Sequence, residues 1–304
     1  MHNPPSLEIN DFQHAPLAEL TLQADRIRQD RSGNAVELCA IVNAKSGRCS
    51  MDCRFCAQSV RHRTEIETYP LLDREKLLEA TTSKWNRGIH RVGWVTSGCA
   101  AKDEEVDQMA NAAEMHRNGR ICVSLGQLSS ESLSKLKSAG ITRYHHNLET
   151  SKRFYPSVCS LQNWEDRYKT VERAKSLGFE VCSGGLFGLG ESWVDRMELA
   201  LTLRELDVDS VPLNFLSPIP GTPLADQPKL TAEEGLRIIA LFRITIPKAT
   251  IRICGGRPST FVQRQAEIFS AGADALMTGD YLTTNGISVE SDLEMLANSG
   301  RRLV

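Results

Sequence analysis

From residue 34 onward, short apolar runs alternate with longer stretches in which apolar residues return every three or four positions. The runs 36–43, 91–96, 120–124, 143–148, 179–183, 210–214, 250–254 and 275–278 have the length and composition of strands. The stretches 74–87, 104–117, 130–139, 164–177, 193–206, 232–243 and 260–271 carry the helical period. Gly88, Gly119, Gly140, Gly178 and Gly272 follow five of them, at the position where a left-handed residue ends a helix. Strands alternating with helices of this length form right-handed βαβ units and a parallel sheet. Eight such strands predict a (β/α)8 TIM-type barrel; a doubly wound open sheet is the competing architecture. The expected division is an N-terminal helical extension over 1–33, the barrel over 34–280 and a C-terminal tail over 281–304. With no repeat, linker or low-complexity tract, all of it reads as one domain.

Composition narrows the function. A chain of 304 residues with 41% hydrophobic residues can bury the core of a single large barrel. A net charge of −2 gives no basis for binding nucleic acid or an anionic membrane. No apolar stretch is long enough to span a bilayer, and the N-terminus lacks a charged-then-apolar signal. Nine cysteines without an export signal point to a reducing cytoplasm and to metal ligation in place of disulfides.

Three of those cysteines, Cys49, Cys53 and Cys56, fall within CSMDCRFC. One compact loop can aim all three sulfurs at one point. Iron–sulfur cubes of the [4Fe–4S] type take four protein ligands, so three thiolates leave one iron open. An open iron can chelate a small molecule through nitrogen and oxygen, the arrangement needed to cleave S-adenosylmethionine reductively. Phe55 offers an aromatic face to the adenine. The competing reading is a zinc site with His62 as fourth ligand, although structural zinc sites usually pair C-x2–4-C units across a longer loop.

Function in such a barrel gathers at the C-terminal ends of the strands. Cys39, Cys122, Cys182 and Cys254 lie on or at the ends of the first, third, fifth and seventh expected strands. Barrel interiors fill in layers of four drawn from alternate strands, so these sulfurs can face one another and hold a second metal cluster. Separately, each is an ordinary small buried hydrophobe. Arg252 is two residues before Cys254 and shares its face; a cluster or a carboxylate would supply the anion that a buried guanidinium needs. The glycine-rich 182–191 segment, CSGGLFGLGE, lets backbone approach a ligand around Gly188 or serves as a plain turn. YHHNLET presents His145, His146, Asn147 and Glu149, as ribose-binding groups or as a metal site through the histidine pair. Arg167, on the next helix, reads as a partner for a ligand carboxylate or as a solvated residue.

The strings NAKSGRCSMDCRFCAQS, RYHHNLETS with FYPSVC, EVCSGGLFGLGE, SVPLNFLSPIPGTPLA and IRICGGR resemble, in order and interval, those of the biotin synthases within the radical S-adenosylmethionine superfamily. The resemblance runs from about residue 10 to about residue 290 and implies sulfur insertion into dethiobiotin. It implies that Cys49, Cys53 and Cys56 hold the [4Fe–4S] cluster, that Asn147 and Glu149 contact the ribose of S-adenosylmethionine, and that Arg167 receives its carboxylate. Asn214 matches a residue beside the dethiobiotin ring. Cys122, Cys182 and Arg252 match ligands of an auxiliary iron–sulfur cluster, [2Fe–2S] or a larger variant, that donates the sulfur. A flavodoxin or ferredoxin as electron donor and a homodimeric state are implied as well.

Two departures from the family's best-known form matter. Gly93 stands where that form has its strand-2 cluster cysteine, and His145 where it commonly has asparagine. Cys39 and Cys254 stand where it tends to have serine. A third thiolate is therefore expected from Cys39, level with Cys122 and Cys182, with Cys254 fourth and Arg252 reduced to a neighbouring charge. The loop after strand 2 places Cys99 above that level, and Cys159 reads as incidental. Rival functions are a related radical enzyme without sulfur insertion, of the hydrogenase-maturation or methylornithine-forming type, and a non-catalytic metal-binding protein.

Overall fold

Inward and outward faces alternate along the first strand, β1 (Ala35–Lys45). Val36, Leu38, Ala40, Val42 and Ala44 are buried on its outer side, while Glu37, Cys39 and Ile41 face the opposite way. The structure, a computed structural model, describes residues 9–116 and 120–304. β1 is followed in chain order by α3 (Arg74–Asn86), β2 (Arg91–Thr96), α4 (Asp103–Ala113), β3 (Ile121–Ser124), α5 (Ser130–Ser138), β4 (Arg143–His145) and α6 (Trp164–Ser176). Then come β5 (Glu180–Cys182), β6 (Gly185–Phe187), α7 (Trp193–Glu205), β7 (Ser210–Phe215), α8 (Ala232–Thr245), β8 (Thr250–Ile253), α9 (Arg257–Phe261), α10 (Glu267–Ser270), β9 (Ala275–Met277), α11 (Val289–Asn298) and β10 (Arg302–Leu303). Two helices, α1 (Ile9–His14) and α2 (Leu17–Ser32), precede β1.

All pairings between these strands are parallel, and β9 pairs back onto β1, so the sheet closes on itself. Closure excludes the doubly wound open sheet. β5 and β6 both pair with β7 and form one broken stave, which gives the barrel eight positions. The break was not expected. A Cβ on Gly184 would lie 2.0 Å from the carbonyl oxygen of Pro212, and one on Gly185 2.6 Å from that of Glu149. These glycines admit neighbouring backbone, not a ligand.

Helix starts follow their side chains: Asp73, Ser129, Ser192, Thr231 and Ser288 each accept a hydrogen bond from a first-turn N–H. Outward residues such as Trp94, Val123, Val211 and Ile251 are fully buried beneath the helices, each contributing roughly 1.5–3 kcal/mol. The Trp94 indole N–H donates to Thr81 Oγ1 at 2.8 Å, so even the largest core side chain is satisfied.

Two expectations need correction. The helix expected over 260–271 is broken into α9, a 3-10 turn at Val262–Arg264 and α10, with Val262 at a φ of 45°. The expected tail over 281–304 carries α11, and β10 extends the sheet beside β1. The last residue of the helix expected over 104–117, and Gly119 after it, lie outside the described residues.

Candidate functional site

Register decides which side chains share a height inside the barrel. Strands of a closed eight-stranded barrel tilt, with a stagger averaging about one residue per strand. Cys39 pairs with Arg91, Gly93 with Cys122, Cys122 with Arg143, His145 with Cys182, Cys182 with Ser210, and Ser210 with Thr250. Carrying the stagger around the sheet puts Cys39, Cys122, Cys182 and Arg252 in one layer. Gly93, His145, Pro212 and Met277 form the layer above; Arg91, Arg143, Ser210 and Ala275 form the layer below. Cys254 lies two positions beyond Arg252, near the level of Ile41 and Ser124. The expectation that Cys254 would sit level with the other three sulfurs is therefore wrong, and Arg252 takes that place.

All four cysteines and Arg252 line one cavity of about 300 Å³. Cys39 and Cys122 each sense the charge of Cys182, and Cys254 senses those of Cys39 and Cys182. Burial pushes the Cys122 thiol up to about 12, and raises those of Cys39 and Cys254. Burial acts on Cys182 too, but the His145 ring, Arg143 and Arg252 overcome it and hold Cys182 at about 7. A Cβ at Gly93 would lie 3.1 Å from Cys122 Sγ, so Gly93 faces the interior beside the sulfurs.

The floor of the cavity was not foreseen. Glu37 is ion-paired to Arg252, to Arg143 at 3.3 Å and to Arg91 at 3.9 Å, while Glu180 meets Arg143 at 3.0 Å and Arg91 at 3.4 Å. Burial works against the Glu37 carboxylate, yet the three guanidiniums hold its pKa down to about 2. Of the two partners considered for Arg252, the carboxylate is present, but below the guanidinium. Its Nη1 is buried without a hydrogen-bond partner, on a residue that is 2% exposed. Three thiols and an unmatched guanidinium nitrogen around one cavity make a donor set suited to an iron–sulfur cluster.

At the other end, the 46–72 loop leaves β1, folds back on itself through the Ser46–Tyr69 and Cys49–Ser59 bridges, and returns to the strand where the Leu72 N–H donates to the Ala44 carbonyl at 2.8 Å. Phe55 and Cys56 line the cavity; Cys53 is buried. Cys56 senses Cys49, and Cys53 senses Cys56, so the three sulfurs share one region. Among the described residues, no three His, Cys, Asp or Glu side chains converge as the ligands of a single ion do. A cube with one thiolate per iron holds its sulfurs farther apart than such ligands. The zinc reading loses support, because His62 turns Nδ1 to the carbonyl of Cys56 at 2.9 Å. Cys159 is not incidental: it lies against the Cys53 sulfur and meets Asp52 Oδ1 at 3.1 Å. Cys99 meets Gln162 at 3.3 Å and senses Cys49, at the loop's level.

Between these two ends lie the residues of the YHHNLET string. His145 faces the cavity and meets Cys182, whereas His146 is buried on the other side with Nε2 unpartnered, which rules out a metal site through the pair. Asn147 and Glu149 line the cavity, Glu149 with a φ of 69°. Arg167 is not a solvated residue. Its Nη1 donates to the Asn147 carbonyl at 2.6 Å and lies 3.5 Å from Glu149, and its Nε meets Tyr155 OH at 2.8 Å. Asn214 lines the cavity too, bridging the Gly185 carbonyl and the Gly255 N–H. Gly188 does not: its N–H is held by the Glu191 carboxylate, which pairs with Arg196 at 2.8 Å. Tyr281, Leu282, Thr283 and Thr284 close one wall, a contribution the sequence reading missed.

Residues 44–203 match the Radical SAM superfamily and residues 212–302 the Biotin and Thiamin Synthesis associated domain. The chain is 50% identical over 288 residues to the biotin synthase of Desulfovibrio desulfuricans, covering 94% of this chain and 91% of that one. It is 47% identical to the biotin synthase of Trichlorobacter lovleyi, covering 97% and 90% of the two chains. Among solved structures, methylornithine synthase shares its fold with a TM-score of 0.81 at 20% identity, covering 98% and 94% of the two chains. An FeFe-hydrogenase maturase from Carboxydothermus hydrogenoformans does so at 0.83 and 19%, covering 98% and 76%. Near-complete coverage at half identity decides between the families that share this barrel: the chain belongs to the biotin synthase family of radical S-adenosylmethionine enzymes.

Proposed function

We propose that this protein closes the sulfur-containing ring of biotin within the cavity between the cysteine loop and the interior sulfur layer. When bound, S-adenosylmethionine on a [4Fe–4S] cluster supplies a carbon-centred radical that removes hydrogen from dethiobiotin, and an auxiliary cluster supplies the sulfur. Cys49, Cys53 and Cys56 would hold the first cluster, with Phe55 against the adenine. Glu149 and Asn147 would accept the ribose hydroxyls. Arg167 would meet the carboxylate of the methionine moiety and, through the Asn147 carbonyl, fix the backbone that carries those groups.

Cys39, Cys122 and Cys182 would hold the auxiliary cluster, with Arg252 completing its edge. In this assignment Cys39 replaces the thiolate that Gly93 lacks. Cys254, Asn214 and His145 would face the substrate above. The protein's own work is positioning and exclusion of water: the Glu37–arginine floor seals one end, and the loop covers the other. Electrons would come from a flavodoxin- or ferredoxin-type carrier. Nine unpaired cysteines suit a reducing compartment.

One observation supports this reading above the rest: three free thiols and an unsatisfied guanidinium nitrogen share a layer in the cavity that Phe55 and Cys56 close. Anaerobic incubation with S-adenosylmethionine, dithionite and dethiobiotin tests it, with product analysis by mass spectrometry. The expected products are 5′-deoxyadenosine, methionine and biotin. Cleavage of S-adenosylmethionine that ignores dethiobiotin and yields no biotin would overturn the sulfur-insertion reading.

A further inference from the structure

We infer that the outer face of the cysteine loop is the docking surface for a small acidic protein that delivers single electrons. The inference rests on the radical-cleavage reading of that loop. Breaking the sulfonium C–S bond to give methionine and a carbon radical consumes one electron. A reduced carrier loses that electron and becomes oxidised. The floor of the barrel is filled by Glu37, Glu180 and three arginines, so the loop is the nearest approach to its cysteines.

The loop has the charge for such a partner. Residues 48–63 carry four arginines and one aspartate in a chain whose net charge is −2. Arg48, Arg54, Arg61 and Arg63 are all exposed. The aspartate forms no ion pair with any of them, because Asp52 accepts the N–H groups of Ser160 and Leu161 at 3.0 and 3.1 Å, and the segment keeps an excess of positive charge. Arg54 and Arg61 donate only to the carbonyls of Ser157 and Ser50. Among the described residues no carboxylate pairs with any of the four. Glu65 and Glu67, the next acidic residues, lie on the segment leading to Tyr69, which pairs with Ser46.

The cations also surround apolar surface. The Cys49–Ser59 bridge sets Arg48 and Arg61 beside Val60, which is 62% exposed. The bond from the Arg54 N–H to the Val158 carbonyl sets Arg54 near Leu161, 46% exposed. Apolar contacts inside a cationic rim fit a carrier whose cofactor edge is ringed by carboxylates. Opposite charges would speed the encounter without making a long-lived complex.

The test compares the loaded parent with a loaded R54E/R61E variant, using an acidic flavodoxin as probe. Affinity for flavodoxin is measured at low and high salt, and 5′-deoxyadenosine formation is measured with reduced flavodoxin and, separately, with dithionite. The expected result is a parent affinity that falls steeply with salt and a variant bound about tenfold or more weakly at low salt. Flavodoxin-driven cleavage falls in parallel, while dithionite-driven cleavage is unchanged. Equal affinities and equal flavodoxin-driven rates would overturn the docking surface, as would a loss of dithionite-driven cleavage in the variant alone. A parent that cleaves nothing with dithionite would instead overturn the radical reading beneath it.

Discussion

Replacing Glu37 with glutamine removes the carboxylate that faces Arg252, Arg143 and Arg91, and leaves three guanidiniums around a neutral amide. Glu37 is 84% removed from solvent by side-chain exposure (16%), so screening by water discounts its interactions only modestly. Its pKa lies near 2 against an ordinary value of 4.5, a depression of about 2.5 units. At about 1.4 kcal/mol per unit, the charged form contributes on the order of 3 kcal/mol to folding. That agrees with roughly 3–5 kcal/mol for breaking a buried pair by removing one partner. A depressed folded-state pKa gives stability that is fully present above the unfolded value and is lost as pH falls through the folded one. The difference between parent and E37Q should therefore be about 3 kcal/mol at pH 7 and shrink between about pH 4.5 and about pH 2. Urea unfolding of anaerobic protein across this range, followed by tryptophan fluorescence and circular dichroism, measures it. A difference below about 1 kcal/mol at pH 7, or one that does not shrink in acid, would refute the reasoning.

The proposed ligand sets give sharper contrasts. Cys49→Ala, Cys53→Ala and Cys56→Ala should each abolish 5′-deoxyadenosine formation, which product analysis reads directly; an active variant removes that residue from the set. Arg167→Ala should weaken S-adenosylmethionine binding about 10- to 150-fold, the worth of one charge-assisted hydrogen bond, as measured by equilibrium dialysis. Cys39→Ala should leave S-adenosylmethionine cleavage largely intact while stopping biotin formation and lowering iron toward about four per chain. Cys254→Ala, two levels above the proposed ligand layer, should keep its iron; loss of iron there with retention in Cys39→Ala would reverse the assignment.

Much of the barrel was legible because its signals are periodic. The strand and helix limits follow from where the apolar period changes, and the odd-strand cysteines were placed inside by the same period. What escaped notice lacked a local signal. The break between β5 and β6 depends on Pro212 and Glu149 carbonyls brought up from elsewhere in the chain, so the glycines that accommodate them read as a ligand loop. Glu37 shares a face with Cys39 two residues away, yet its partners Arg91, Arg143 and Arg252 become neighbours only once the sheet closes. The level of Cys254 turned on the stagger of the barrel. Alternation gives the face of a residue, but only register gives its height, and register put Arg252 beside the three sulfurs. Gly188 failed for a simpler reason: Glu191, three residues on, reaches back to its N–H.

The most direct test of sulfur insertion is to reconstitute the protein with heavy-isotope sulfide, remove the excess, and allow a single anaerobic turnover of dethiobiotin before mass spectrometry of the product. If the interior sulfur layer holds the donor, the first biotin formed carries the heavy sulfur, and the Cys39→Ala protein, still cleaving S-adenosylmethionine, makes none. Unlabelled biotin from the parent, or labelled biotin in full yield from Cys39→Ala, would contradict the account.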